Sequence, residues 1–376
     1  MSSRMTRRRF VSGTALAVIG ATLTERSAFG RIARAAGEGD TVLVVLFLRG
    51  GADGLALCPP HGDSEYYRVR PTIALPPPGS GSGSVLDLDG YFGLHPALAP
   101  LKPFWDDGQL GIVHAVGNDD VSRSHFDAQE FVETGTPGVK GSNGFLARCL
   151  DPLPGIDLME AVAFSRLRPR ALQGPQAVLV AEDLSEFDFR ATGWRAEAED
   201  RLDAIYRSRI DDVGALGTDS LDAIRRLKIT PVLFEPPANG AVYPDSVAGD
   251  GLRQAARIIT AEMGTRCIFI DVEGDFDTHS AQVVNNQLDF EPIGLALAAF
   301  GRDLGTRMDR VVVLVVTEFG RAVYETGAAG TDHGTAGAMI AFGGPVAGGH
   351  VHGTWPGLLP HQLRQARDLA VTTDFR

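Results

Sequence analysis

The chain has 376 residues, of which 44% are hydrophobic, 22% charged and 7% aromatic, a composition ordinary for a globular protein. Its 47 acidic residues outnumber its 35 basic ones, which gives a formal net charge of −12 at pH 7. General nucleic-acid binders rely on basic residues that neutralise phosphates, so this charge argues against nucleic acid as a partner. The cysteines Cys58, Cys149 and Cys267 lie far apart without a CxxC pair. That spacing argues against a thiolate metal site and favours buried free thiols.

The N-terminal segment has the features of an export signal. Consecutive arginines at positions 7–9, followed by Phe10, precede an apolar run from Val11 to about Leu23, and a small-x-small pattern ends at Ala35. We interpret residues 1–35 as a twin-arginine signal peptide. The apolar run is shorter than the roughly 18–20 residues that span a bilayer, so no stable membrane span is expected. The expected partner during export is the twin-arginine translocase, and the expected location is the periplasm or the exterior.

In the rest of the chain, apolar β-branched runs alternate with segments of helical periodicity. Such runs are typical of strands buried on both faces of a parallel sheet. The predicted strands are residues 42–48, 111–116, 177–180, 267–270, 311–316 and 338–342. The predicted helices are residues 98–106, 126–134, 196–210, 221–227, 252–263 and 287–304. This alternation predicts one α/β domain over residues 36–376, with a mostly parallel central sheet sandwiched by helices and a helical insertion at about 185–265.

Carboxylates and histidines follow several of the predicted strands. Ligands of an open α/β sheet bind beyond the carboxyl ends of its strands. Imidazole and carboxylate together suit zinc, manganese or iron, and neighbouring carboxylates repel unless a cation or a proton compensates them. We therefore predict a divalent metal ion at this edge, with zinc, manganese or calcium as candidates. The candidate ligands are Asp53, Asp275, Asp277, His279, Glu318, Asp332 and His333.

A second polar segment, Ser122-Arg123-Ser124-His125, stands directly before a predicted helix. The exposed N–H groups at a helix start favour an anion, so either serine is a candidate nucleophile. The alternative is that the serines only cap the helix. Arg123 either binds an anionic oxygen or pairs with a carboxylate. His125 is a candidate catalytic residue, or it bonds only to its neighbours.

Four segments, residues 49–54, 122–129, 317–321 and 330–334, resemble the bacterial family called domain of unknown function 1501. The likeness runs from about residue 41 to the C-terminus, and members usually continue into a closing helix. The family is similar in plan to the alkaline phosphatase and sulfatase superfamily. That resemblance implies an alkaline phosphatase-like fold with a helical insertion.

The resemblance also implies roles for single residues. Asp53 matches the superfamily's first metal ligand, Asp275 and His279 match its Asp-xxx-His pair, and His333 resembles its late histidine. Ser122 or Ser124 falls where the nucleophile would be. At the superfamily's Asp-His pair this chain has Glu318 and then Phe319. A carboxylate is kept there and the histidine is lost, with Asp332 or His125 as candidate replacements.

These observations lead to the hypothesis of an exported, metal-dependent hydrolase of phosphate or sulfate esters. The substrate would be an anionic ester of a small molecule or a glycan. A catalytically degenerate member that binds an anionic glycan or a partner protein is the alternative, and Phe319 favours it. A mutase or transferase on the same scaffold is a third possibility.

Overall fold

A computed structural model describes residues 41–120, 122–150, 158–186 and 194–376. The predicted signal peptide, residues 1–35, lies outside the described residues. The described strands are β1 (Val42–Arg49), β2 (Leu86–Asp87), β3 (Gly93–Leu94), β4 (Leu110–Gly117), β5 (Ala161–Phe164), β6 (Leu179–Ala181), β7 (Cys267–Glu273), β8 (Val311–Val316), β9 (Arg321–Glu325), β10 (Thr331–His333), β11 (Gly337–Phe342), β12 (Val351–His352) and β13 (Thr373–Asp374). The described helices are α1 (Gly54–Leu57), α2 (Ser64–Val69), α3 (Lys102–Asp106), α4 (His125–Thr134), α5 (Phe145–Leu150), α6 (Arg195–Ser208), α7 (Asp212–Ile229), α8 (Val247–Thr260) and α9 (Gln282–Leu304).

The central sheet is mixed but mostly parallel. Its strands follow the order β12-β4-β11-β8-β1-β7-β5-β6, and β13 also pairs with β4. β1 pairs in parallel with both β7 and β8, and β5 pairs in parallel with β6 and β7. β11 is inserted antiparallel between β4 and β8. The α/β architecture is therefore as predicted, with one antiparallel strand inside an otherwise parallel arrangement.

The sheet is buried on both faces, as the apolar runs indicate. Along β1, Val44 and Leu46 belong to one hydrophobic cluster, whereas Val45 and Phe47 belong to the cluster on the other side. This alternation follows from the two-residue period of a strand. Helices α8 and α9 contribute to the first cluster, and α4 and α5 contribute to the second. Helices thus cover the sheet on both sides.

Some predicted elements differ in detail from the structure. The predicted helix at 98–106 is a 3-10 turn over Pro96–Leu101 followed by α3, because Pro100 and Pro103 lack the N–H groups that a continuous helix needs. In the predicted insertion, α6 and α7 pack against each other, but α8 packs against α9 and β7 and so belongs to the helical layer on the sheet. In the described part of the chain, no helix has the length and apolarity to cross a membrane.

The topology brings the ends of several strands to one edge of the sheet. β1, β4, β7 and β8 run in the same direction and end there, at Arg49, Gly117, Glu273 and Val316. Antiparallel β11 begins at the same edge, at Gly337. The segments that follow the four parallel strands, and the one that precedes β11, carry the predicted functional residues.

Candidate metal centre

Three imidazoles surround one carboxylate at this edge. The Nε2 atoms of His279 and His333 lie 3.0 Å and 3.1 Å from Oδ1 of Asp277. Nε2 of His125 lies 3.4 Å from Oδ2 of the same carboxylate. His333 Nε2 is also 3.2 Å from His125 Nε2 and 3.0 Å from His279 Nε2. We call His125, Asp277, His279 and His333 the histidine cluster.

For two of these imidazoles, the hydrogen-bond partner of Nδ1 determines which ring nitrogen carries the hydrogen. His125 Nδ1 lies 2.8 Å from Oε1 of Glu318, and His333 Nδ1 lies 2.8 Å from the carbonyl oxygen of Arg123. A carboxylate and a carbonyl only accept hydrogen bonds, so both Nδ1 atoms donate. In the neutral imidazole, Nε2 then presents a lone pair.

Electron pairs therefore face one another in the histidine cluster. The Nε2 atoms of His125 and His333 are 3.2 Å apart, and both point at the carboxylate of Asp277. Such atoms repel unless a positive charge lies among them. A proton on one nitrogen satisfies one of these contacts, whereas a metal cation could accept electron pairs from His125, Asp277 and His333 together.

The spacing of the donor atoms fits a coordination sphere. Ligands about 2.0–2.1 Å from a tetrahedral zinc ion are about 3.3 Å from one another. Ligands at about 2.1 Å in an octahedral site are about 3.0 Å from their neighbours. The measured separations in the histidine cluster are 3.0–3.4 Å.

Glu318 orients His125 from behind. Its buried carboxylate also accepts hydrogen bonds from Gly50 N–H at 2.8 Å, Gln129 Nε2 at 3.0 Å and the Thr317 hydroxyl at 3.0 Å. Burial raises the pKa of Glu318, but the bonds from His125 and Gln129 outweigh it, so the pKa lies below its ordinary value. The bond to Glu318 raises the pKa of His125. A carboxylate bonded to the far side of an imidazole is a common arrangement for metal-binding histidines.

Arg321 holds Asp277. Its fully buried guanidinium donates to Oδ1 of Asp277 and to the carbonyl oxygen of Thr331, and its Nε donates 3.2 Å to the Thr331 hydroxyl. Burial raises the pKa of Asp277, but the bond and the charge of Arg321 outweigh burial and lower it. Asp277 is therefore ionised at neutral pH. In the structure Arg321 is therefore paired with a carboxylate.

Among the described residues, two sets of three donors lie within 4.8 Å of one another. One set is His125, Asp277 and His333, and the other is His279, Asp332 and His333. Asp332 accepts a 2.8 Å hydrogen bond from the N–H of His333 and pairs with Arg367 through its other oxygen. His333 belongs to both sets.

Asp53, expected to be a metal ligand, lies outside both donor sets. Its side chain is 1% exposed and forms an ion pair with Arg70, which is equally buried. The carboxylate also accepts hydrogen bonds from Gln282 and from the N–H of Leu55, where it caps α1. A buried carboxylate needs a compensating charge, and here a guanidinium supplies it. In this structure the charge of Asp53 is therefore compensated by Arg70, away from both donor sets.

Two other predicted ligands also lie outside the donor sets. Asp275 is exposed on the loop after β7, whereas Asp277, two residues later, points into the cluster. Glu318 contacts the cluster through His125. Conversely, the structure brings His125, predicted as a catalytic residue, among the metal donors. The sequence had also offered His125 as one of two candidate replacements for the histidine missing after Glu318, and the structure places it beside Asp277 and His333.

The predicted nucleophiles precede His125. Ser124 is the N-cap of α4, with its Oγ 3.5 Å from the N–H of Asp127. The Ser122 hydroxyl donates to the carboxylate of Asp127 over 3.4 Å. Arg123 donates 3.1 Å to the buried carboxylate of Asp368, so it is paired with a carboxylate. The sequence held no signal for Asp368 as its partner.

Phe319 forms an apolar wall of the histidine cluster. Its ring centroid lies 4.8 Å from that of His125 and 5.0 Å from that of His333. Gly51 makes room for this ring, because a Cβ at that position would lie 2.5 Å from Cε2 of Phe319. Phe319 is thus packed against two of the three imidazoles.

The fold and the site together define an α/β protein with imidazoles and carboxylates gathered at the carboxyl edge of a mixed sheet. The chain belongs to the family described as "Protein of unknown function (DUF1501)", whose model matches residues 112–375. The matched range includes the whole histidine cluster and Glu318. No curated protein matches the chain.

Proposed function

We propose that the protein is a metal-dependent hydrolase of phosphate or sulfate esters. The observation that carries the proposal is the 3.2 Å approach of Nε2 of His125 to Nε2 of His333 beside the carboxylate of Asp277. Both imidazoles have their hydrogen on Nδ1, so their Nε2 lone pairs face each other and a cation between them would relieve the repulsion. The imidazole-rich donor set favours zinc or manganese over calcium, which prefers oxygen ligands.

The local charge supports an anionic substrate. Before a metal binds, the carboxylates around the cluster exceed the guanidinium groups by one charge, and a divalent ion turns this into one net positive charge. A bound divalent ion would polarise an ester oxygen and lower the pKa of an attacking hydroxyl or water. The groups counted are Asp277, Glu318, Asp332 and Asp368 against Arg123, Arg321 and Arg367.

Ser124 is the better candidate for the attacking hydroxyl. Within the described part of the chain, its Oγ has one hydrogen bond, the 3.5 Å cap contact with Asp127 N–H, whereas the Ser122 hydroxyl donates to the carboxylate of Asp127. Ser124 also directly precedes the donor His125 at the start of α4, where the first N–H groups favour the anionic oxygens of an ester. In the net reaction, water cleaves the ester to an acid and an alcohol.

The test combines metal content with turnover. Protein purified without chelators should contain zinc or manganese and hydrolyse an aryl phosphate or an aryl sulfate. Chelation should abolish turnover, and adding the metal back should restore it. His333→Ala should lose both metal and turnover, whereas the exposed His361→Ala should keep both. A folded protein that contains no metal and hydrolyses neither aryl phosphates nor aryl sulfates would refute the proposal.

Binding without turnover is the second candidate, and Phe319 favours it because an apolar ring stands where the superfamily has a histidine. Under this alternative an anionic glycan or a partner protein binds at the metal and is not cleaved. Ser124→Ala separates the two functions. A hydrolase that uses Ser124 would lose turnover by several orders of magnitude and keep its metal, whereas a binding protein would keep its affinity.

We also propose export by the twin-arginine pathway, on the basis of the arginine pair and the apolar run that follows it. Replacing both Arg7 and Arg8 with Lys should retain the protein in the cytoplasm of an expressing bacterium. The unaltered chain should appear in the periplasm or the medium at the length expected after cleavage near Ala35. An unchanged distribution of the double variant would contradict this route.

A further inference from the structure

We infer that the histidine cluster holds one divalent ion per chain, and that the guanidinium of Arg321 stands where a second cation would otherwise be needed. The inference rests on the metal site of the proposed function. It adds the stoichiometry of that site and a positioning role for Arg321.

The two donor sets compete for one histidine. Both sets contain His333. Its Nδ1 donates to the carbonyl oxygen of Arg123 over 2.8 Å, so only Nε2 offers an electron pair. One nitrogen electron pair binds one metal ion. The two sets therefore provide overlapping donors for a single ion.

A second ion close to the first would have to share the carboxylate of Asp277, which Arg321 already binds. Paired metal ions in hydrolases lie about 3.5–4 Å apart and share ligands. Oδ1 of Asp277 is already bonded by Nη1 of Arg321. The Arg321 side chain is 0% exposed and is also tied to both the hydroxyl and the carbonyl of Thr331. These contacts hold the guanidinium in place beside Asp277.

The charge of Arg321 also disfavours a second ion. Arginine remains protonated in proteins, so Arg321 contributes a fixed positive charge beside Asp277. A second divalent ion would place further positive charge against this guanidinium. The apolar ring of Phe319 closes another side of the cluster and offers no donor atom. Both features favour a single metal.

The experiment measures metal per chain without reference to activity. Metal-free protein is loaded with excess Zn²⁺ or Mn²⁺, desalted and analysed by plasma mass spectrometry. We expect one ion per chain that is lost in His333→Ala. X-ray absorption of the loaded protein should show imidazole and carboxylate scattering and no metal–metal distance near about 3.5–4 Å. Two ions per chain with such a distance would overturn the inference.

Variants of Arg321 test its role directly. Arg321→Met removes the charge while keeping an apolar stem, and we expect the folded protein to take up a second, weaker ion. Arg321→Lys keeps the positive charge, and this variant should still bind one ion per chain. Folded Arg321→Met that remains at one ion would refute the role of Arg321. If that variant does not fold, the metal ratio and absorption spectrum of the unaltered protein still test the stoichiometry.

This inference and the proposed function can fail separately. One bound ion without ester turnover would refute the hydrolase and leave the stoichiometry standing. Ester turnover with two bound ions would support the hydrolase and refute the single-ion stoichiometry. A protein that binds no ion would overturn both.

Discussion

Asp53 and Arg70 form an ion pair in which each side chain is only 1% exposed. Arg70 also donates to the carbonyl oxygens of Ala322 and Val323, both at 2.9 Å. The pair therefore joins the segment after β1 to β9, next to the buried Arg321 that holds Asp277. Its role in this structure is to support the site from within the core.

Asp53→Asn should destabilise the protein without removing its metal. Breaking a buried ion pair leaves a guanidinium without its charge partner, which costs about 3–5 kcal/mol. Urea unfolding measures the loss, and mass spectrometry of the folded fraction measures the metal. Asp106→Asn is the surface control, because its pair with Lys102 is exposed and should contribute less than about 1 kcal/mol. Loss of metal with unchanged stability would restore Asp53 as a ligand.

Glu318→Gln should weaken metal binding although Glu318 is outside both donor sets. The carboxylate fixes the tautomer and ring orientation of His125, and such partners typically change metal affinity about 10–100-fold. Competition with a chelating dye gives the dissociation constant. Glu133→Gln is the matched control, since Glu133 is equally buried but pairs with Arg49. Equal affinity in the Glu318 variant and the unaltered protein would contradict the arrangement.

The three histidines of the cluster should contribute unequally. His333 belongs to both donor sets, whereas His125 and His279 belong to one each. We expect His333→Ala to lower metal affinity by more than about 100-fold, beyond the effect usual for outer partners, and each of the other alanine variants to lower it less. The same dye titration measures all three. A larger loss in His279→Ala than in His333→Ala would show that another residue is the shared ligand.

Stability of the metal-free protein should fall as the pH falls from 6.5 towards 4. Burial lowers the pKa of His95 and of His114 to about 4 from an ordinary 6.5. The unfolded chain then binds more protons in this range, so stability is complete above pH 6.5 and is lost as the pH approaches 4. Each residue accounts for about 3 kcal/mol.

Urea unfolding of chelated protein at several pH values measures this dependence. His114→Gln should flatten it, and His361→Gln should not, because His361 is exposed. Chelation is necessary because acid also protonates metal-binding histidines. A stability that does not change between pH 6.5 and pH 4 would contradict the burial of His95 and His114 as neutral groups.

The helices and strands could be predicted where their signal is local. The run at Val42–Arg49 is apolar on both faces because the strand is buried on both faces, and its two-residue alternation supplies both clusters. β5, with four residues, and the hairpin of β9 and β10 were not predicted, because short segments carry too little periodicity. The antiparallel direction of β11 also has no local signal, since its residues are apolar in either orientation.

The amino-acid sequence alone determined the α/β class, the family and the edge of the sheet where carboxylates and histidines gather, because strand periodicity and strand ends are local properties. Only the tertiary structure decided which of these groups meet. His125 and His333 are 208 residues apart in the chain and come together because β4 and β11 are neighbours whose ends share one edge. Asp53 forms an ion pair with Arg70 in the core and does not join the histidine cluster. Whether a carboxylate lies beside a guanidinium or an imidazole depends on the packing of the folded chain.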